Sequence, residues 1–250
     1  MFVRAVNSIS RRLARLALLL ALVSALVVGA AGPVVRFGVF EPYVAIAIFR
    51  YGSYIAFASI ALGLATIVPT RPGEKRRGFL SALLALAVGI GAAWMPVTFF
   101  LHATNLPPIN DITTDTTNPP LLVVTLQLRR GATTPAAYGG VPVARQQHEG
   151  YPDIAPVLLP LPVDEAFRRV DRAAMAMGWD VVARAPQDGR LEAVDTSEWF
   201  GFRDDIVVRI RPEGAGSRVD IRSKSRVGES DLGVNAKRIR AFLARLRAQG

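Results

Sequence analysis

The stretch RRLARLALLLALVSALVVGAA, residues 11–31, decides the architecture of the first hundred residues. Its apolar part, Leu13 to Ala31, has about the length that crosses a hydrocarbon core as a helix, and it follows Arg4, Arg11, Arg12 and Arg15. A second apolar run extends from Tyr43 to Val68, broken near its start by Arg50 and uninterrupted from Gly52. After it comes TRPGEKRRG, residues 70–78, a short basic turn, and then a third run from Phe79 to Leu101. Three transmembrane helices follow from this pattern.

Basic residues orient such helices, because Lys and Arg collect in cytoplasmic loops. Both Arg-rich segments therefore lie inside and everything after Leu101 lies outside. A competing reading makes residues 1–30 a cleaved signal peptide ending near Val28, Gly29 and Ala30, which leaves the later orientation unchanged. Residues 1–101 hold ten Lys and Arg against two acids, while residues 102–250 hold twenty against eighteen. The sequence pI of about 10.9 thus reflects membrane-flanking patches, and the nearly neutral remainder argues against a nucleic-acid partner. With no cysteine, disulfides and thiolate metal sites are excluded.

Arg50 lies at the edge of its span, where its stem reaches the interface beside Tyr43, Tyr51 and Tyr54. Pro96 is expected to kink the third span or mark its outer end. Ser59 and Gly63, and Gly89 and Ala93, stand four apart and suit close helix packing.

From His102 to Leu161 the chain is broken by nine prolines between Pro107 and Pro160, which predicts an extended segment, with Leu121–Leu128 as an edge strand or a strip laid along the domain. Beyond it, Val163, Ala166, Phe167, Val170, Ala174 and Met177 fall on one helical stripe, with Asp164 and Glu165 in the first turn and Gly178 as stop. Strands are expected over 179–185, 191–196, around Ile206–Ile210 and around Val219–Ile221, with Arg209 opposite Asp220. Ile239, Phe242, Leu243 and Leu246 make the stripe of a terminal helix. The fold class is then three N-terminal transmembrane α-helices followed by a two-layer α+β domain: helix, four-stranded antiparallel sheet, helix. Its divisions are a transmembrane region (1–101), a Pro-rich extended linker (102–161) and an exported domain (162–250).

Three stretches carry a more specific signal: INDITTDTTNPP (109–120), WFGFRDD (199–205) and DIRSKSRVGESDLGVNAKRI (220–239). With Tyr151, Pro152 and Asp153, they closely resemble the family catalogued as domain of unknown function 1499, over about residues 105–247. The resemblance implies a membrane-anchored bacterial envelope protein and carries no assigned activity.

The densest local chemistry is in the last stretch. Arg222, Ser223, Ser225, Arg226, Ser230, Asp231, Asn235 and Arg238 form a candidate anion site, since arginines beside free amides at a helix start hold phosphate or carboxylate. The bland alternative pairs Arg222 and Arg226 with Asp204, Asp205 or Asp231, with Ser230 or Asp231 capping the last helix. Asp204 and Asp205 are further polar candidates, but neighbours on a strand point to opposite faces. Asn110, Asp111, Thr113, Thr114, Asp115 and Thr116 lack calcium-loop spacing and read as turns. Alternation is expected to bury at least one of Trp199, Phe200 and Phe202. His102 and His148 have no companion ligand at metal spacing. No catalytic residue, metal or cofactor is assigned.

Three functions remain. The first is a non-enzymatic periplasmic binding or assembly module anchored in a bacterial inner membrane, contacting the bilayer and an envelope protein, lipid head group or other anionic ligand. The second is a membrane-anchored hydrolase or transferase using Asp204, Asp205 or Asp231 with Arg226. The third is an accessory subunit of a larger membrane complex.

Overall fold

In a computed structural model that describes residues 2–71, 78–104 and 106–248, the chain divides into two compact units, Met1–His102 and Ala103–Gly250. Most of the basic turn at 70–78 lies outside the described residues. The first unit contains α1 (Phe2–Arg36), α2 (Pro42–Ile67) and α3 (Phe79–Ala103). Within them Ser8–Arg36, Tyr43–Ile67 and Phe79–Leu101 are long and apolar enough to cross a membrane. Pro96 does not end its helix, which continues through it to Ala103.

Packing in this unit runs opposite to that of a water-soluble bundle. Ala14, Ala17, Ala21, Ala56, Ala82 and Ala85 are buried, while Leu19, Leu22, Leu26 and Leu64 face outward. Lipid offers no penalty for exposing leucine, so association rests on close backbone approach and interhelical hydrogen bonds. The Ser59 hydroxyl on α2 lies 3.0 Å from the Ala17 carbonyl on α1 and 3.4 Å from that of Ala85 on α3. Gly63 and Gly89 leave room for Leu86 and Ile60, as their small-residue spacing leads one to expect. Arg50 is exposed, its guanidinium 5.3 Å from the Tyr51 ring centre.

In the second unit the sheet has six strands rather than the expected four: β1 (Asp111–Thr113), β2 (Val157–Leu159), β3 (Asp180–Ala185), β4 (Arg190–Thr196), β5 (Arg203–Glu213) and β6 (Gly216–Ser225). The order is β1-β6-β5-β4-β3, antiparallel throughout, and β2 shares the β1 edge of β6. Both added strands come from the Pro-rich segment. At three residues each they are too short for alternation to reveal them. Arg209 does stand opposite Asp220.

Helices α6 (Val163–Ala176) and α7 (Val234–Ala248) pack on one sheet face. Ala166, Phe167, Val170, Ile239, Phe242 and Leu246 meet Leu191, Ala193, Ile206, Val208, Val219 and Ile221 in a single core. Trp179 stacks on Phe242, with ring centres 5.2 Å apart, and so ties the start of β3 to α7.

The opposite sheet face is covered as well. Residues 114–150 cross it, carrying α4 (Val124–Gln127) and α5 (Gly140–Gly150). Leu121–Leu128 is thus a strip laid on the domain, containing one helical turn instead of a strand. On α5 the buried Gln147 side chain gives its NH2 to the Thr113 carbonyl, 2.7 Å, and takes the Thr113 N–H, 3.0 Å. It completes the free edge of β1 as a further strand would.

One expectation about packing fails. Trp199 is exposed, and Phe200 and Phe202 are only half-buried, stacked on each other at 4.9 Å in the β4–β5 loop. The loop leaves the sheet at Thr196 and returns at Arg203, so strand alternation never applies to it.

Gly189 turns the β3–β4 hairpin with φ of 58°, and a Cβ there would collide with the Ile210 carbonyl oxygen. Gly189→Ala is expected to cost about 1–3 kcal/mol through left-handed strain and overlap. Thermal unfolding of the detergent-solubilised protein followed by near-ultraviolet dichroism measures the loss.

Candidate functional site

Alternation on β4, β5 and β6 sends Glu192, Asp205, Asp220, Arg222, Lys224 and Arg226 to the face away from α6 and α7, beneath the crossing segment. All six are buried. A charge cannot be stripped of water without a partner, and each has one. Arg222 makes a two-pronged pair with Asp111, both distances 2.8 Å, and gives further N–H groups to the carbonyls of Pro120 and Ala136. Lys224 lies 3.2 Å from the same Asp111. Burial lowers the Lys224 pKa, opposed by Asp111.

Arg226 binds Asp205 at 2.6 and 3.0 Å and donates to the Leu128 carbonyl at 2.8 Å. Arg129, on the crossing segment, takes the other Asp205 oxygen at 2.5 Å. Glu192 accepts the backbone N–H groups of Val123, Val124 and Thr125 and the Thr125 hydroxyl, all between 2.7 and 3.1 Å. A carboxylate thus sits where α4 begins and its amides lack helical partners. Asp220 and Asp115 are clasped by Arg209, Arg211 and Arg218. Burial raises the pKa of Asp115, but the Asn118 N–H and the charges of Arg218 and Arg209 outweigh it and hold the group below the usual carboxylate range.

On the helix face a second network is equally closed. Arg238 of α7 binds Asp204 and Asp195, each at 2.7 Å, and donates to Ser223 and Asn235 at 3.0 and 2.5 Å. Asn235 donates to Ser225, 3.0 Å, and to the Asn110 carbonyl, 3.2 Å. Asp231 caps α7 by accepting the N–H groups of Gly233 and Asn235, 2.9 and 2.7 Å. Burial raises its pKa against those two bonds. The Ser230 hydroxyl accepts the Leu232 N–H at 3.2 Å.

The candidate residues are therefore split between two faces. Arg222 and Arg226 lie on one, with Asp205. Ser223, Ser225, Asn235, Arg238 and Asp204 lie on the other, and Ser230 and Asp231 are in the turn before α7. Asp204 and Asp205 point oppositely, as strand geometry requires. Arg226 takes one of its expected partners, but the partner of Arg222 is Asp111, and Arg129, Glu192 and Asp195 join unforeseen. Asp111 is visible in the sequence as part of a turn-like cluster; Glu192 carries no signal beyond being an acid inside an apolar strand. Asp115 does form a turn, accepting the Asn118 N–H at 2.8 Å.

An open cleft of about 780 Å³ lies beside α5, between Thr116, Pro119, Tyr138, Val141, Arg145 and His148. His148 is bonded to the Thr116 hydroxyl at 3.1 Å. The Tyr138 hydroxyl is buried without a hydrogen-bond partner among the described residues, and its pKa is pushed up to about 12 by burial and by the Asp111 charge, against Arg222.

Arg222→Ala is expected to destabilise the second unit by roughly 3 kcal/mol, since it leaves the buried Asp111 carboxylate with Lys224 as its one cationic partner and two carbonyls without their donor. Arg222→Lys should recover only part, because a point charge cannot replace the fork. Denaturant unfolding followed by Trp179 fluorescence reads both. For Asp115, the lowered folded pKa means its stabilisation is complete above the unfolded value near 3.9 and is lost as pH falls through the folded value. Acid titration should show Asp115→Asn less stable at neutral pH but losing less stability below about pH 4 than the parent.

Residues 111–246 match the family described as Protein of unknown function (DUF1499). No curated protein matches the chain. Among solved structures, the crystal structure of TTHA0849 from Thermus thermophilus is similar at 15% identity, with 38% of this chain and 97% of that one covered and a TM-score of 0.25.

Proposed function

This chain belongs to the DUF1499 family, and we propose that it is a bacterial inner-membrane protein whose second unit is a periplasmic binding or assembly module that works without catalysis. The observation that carries this reading is the consumption of the charged side chains. Asp204, Asp205 and Asp231 are held by Arg238, by Arg129 with Arg226, and by backbone amides, on different sides of the sheet. The hydrolase or transferase reading needs those carboxylates and Arg226 together in an open cleft, and this arrangement separates them.

The same geometry weakens a small-anion site at Arg222 and Arg226. Their forks already hold Asp111 and Asp205 where an external carboxylate or phosphate would sit. Recognition then falls to the surface: loops, exposed apolar side chains and the lipid-facing helices. The orientation rests on Arg11, Arg12 and Arg15 before the first span and the basic turn before the third.

Two measurements test the proposal. A periplasm-dependent reporter fused after Gly250 should be active, and activity of a cytoplasm-dependent reporter there instead would overturn the orientation. Purification of the full chain in mild detergent, with mass spectrometry of what accompanies it, should recover a stoichiometric envelope protein or lipid. Substrate turnover by the purified protein that disappears in Asp204→Asn or Asp205→Asn would overturn the non-catalytic reading.

A further inference from the structure

Arg50 carries a full charge inside an apolar span. Helix α2 begins at Pro42 and its span runs from Tyr43 to Ile67, so Arg50 lies about 10 Å along that span at the helical rise per residue. The 25 residues of the span extend about 37 Å, against a hydrocarbon core of about 30 Å. Centred in the bilayer, the span puts the Arg50 backbone about 7 Å inside the core. The side chain is exposed on the outside of the first unit, where the buried contacts are those of alanines.

A cation at that depth needs a counter-ion. Residues 1–101 offer two carboxylates, Glu41 and Glu74. Glu41 is the N-cap of α2, nine positions earlier, which puts it on the opposite side of the helix and about 13 Å away along the axis. Glu74 comes after the other end of α2 in the sequence. Among the described residues no carboxylate pairs with Arg50, whose guanidinium rests 5.3 Å from the Tyr51 ring centre.

The surroundings are those of a head-group boundary. All three tyrosines of residues 1–101 stand on this half of α2, with Tyr43 60% exposed, Tyr51 58% and Tyr54 57%. Trp94, the one tryptophan of the first unit, is exposed on α3. The rings of Phe49 and Phe99 meet with centres 6.0 Å apart, and Gly89 meets Ile60, so α2 and α3 run antiparallel and Trp94 is level with Tyr54. Tyrosine and tryptophan collect where hydrocarbon meets head groups. Tyr43, Arg50 and Tyr54 are spaced by seven and four residues and share one face of α2. Helical side chains lean toward the N-terminus, which directs the long Arg50 stem out of the core toward the Pro42 end.

We propose that Arg50, with the phenol hydroxyls of Tyr43 and Tyr54, binds the phosphate of an anionic phospholipid in the leaflet at the Pro42 end of α2. The guanidinium fork matches the phosphate oxygens, and the phenols donate to the acceptors around them. A head group without an ammonium of its own leaves the Arg50 charge matched one to one, which sets phosphatidylglycerol above phosphatidylcholine. The inference rests on the membrane reading of the three helices and not on which side of the membrane α2 begins.

Native mass spectrometry of the full chain in mild detergent, titrated with phosphatidylglycerol or phosphatidylcholine, tests it. Arg50→Gln is expected to retain one phosphatidylglycerol fewer than the parent at the same lipid concentration. Tyr54→Phe, which changes no charge, should need about threefold more lipid to reach the parent's number, as for one lost hydrogen bond. Phosphatidylcholine retention should be the same in all three, and equal melting in lipid-free detergent shows that the variants fold. Equal phosphatidylglycerol retention by parent and Arg50→Gln overturns the proposal, and so does an unchanged Tyr54→Phe, which would leave only general attraction to a cation. An equal loss of phosphatidylcholine in Arg50→Gln overturns the anionic preference. A membrane protein that accompanies the parent and is absent from Arg50→Gln, with lipid retention unchanged, overturns it in favour of a partner's carboxylate. Retention of neither lipid by any form overturns it together with the membrane reading.

Discussion

A charged side chain inside a protein must be given a partner, and that requirement organises the second unit. Its sheet presents Glu192, Asp205, Asp220, Arg222, Lys224 and Arg226 on the face that the helices leave open. On a two-layer fold these groups would meet water. Here β1 and the segment that crosses the face supply what each lacks: Asp111 for Arg222 and Lys224, Arg129 for Asp205, the first amides of α4 for Glu192, and Asp115 for three arginines. Desolvation makes such pairs weak sources of net stability, but removing one member is costly. They therefore act chiefly as constraints on where the covering segment can sit.

This explains why a segment with nine prolines is ordered. Proline and turn residues deny it long ladders, and it borrows hydrogen bonds from the sheet instead. Gln147 pairs with Thr113 as a strand would, the Thr114 hydroxyl accepts the Ile221 N–H at 2.9 Å, and the Thr133 N–H takes the Arg226 carbonyl at 2.9 Å. Backbone groups without regular partners are satisfied one at a time by side chains. A family likeness that begins within this segment, at residue 111, matches its place in the fold.

Where regular periodicity governs, the sequence is legible. The apolar runs are the three long helices, the Val163–Met177 stripe is α6, and Arg209 opposes Asp220 across β5 and β6. Short elements are not, because β1 and β2 have three residues each and α4 has four, fewer than one period of reliable pattern. For the candidate residues, alternation separates Asp204 from Asp205 correctly. It cannot name Asp111 as the partner of Arg222, since the two are 111 positions apart and only the fold brings them together. The aromatic loop shows the reverse error: a strand rule applied to Trp199 and Phe202 misleads because they stand in a connection, where no buried face exists for them.

The charge distribution acquires a physical meaning from these pairings. In the second unit most buried cations are matched by buried anions, so the near balance of residues 102–250 is what a sheet with an ionic interior requires. The first unit is built differently: its buried described residues are largely alanines with a few hydroxyls, and Arg12, Arg15 and Arg50 are exposed. Ten cations there meet only two acids in residues 1–101, so the excess carries through to the net value of +10. The high pI thus follows from a membrane region that excludes acids, joined to a domain that commits its own to internal pairs. A cationic excess confined to residues 1–101 leaves the second unit, with twenty Lys and Arg against eighteen acids in residues 102–250, without the surplus that a polyanion-binding face needs.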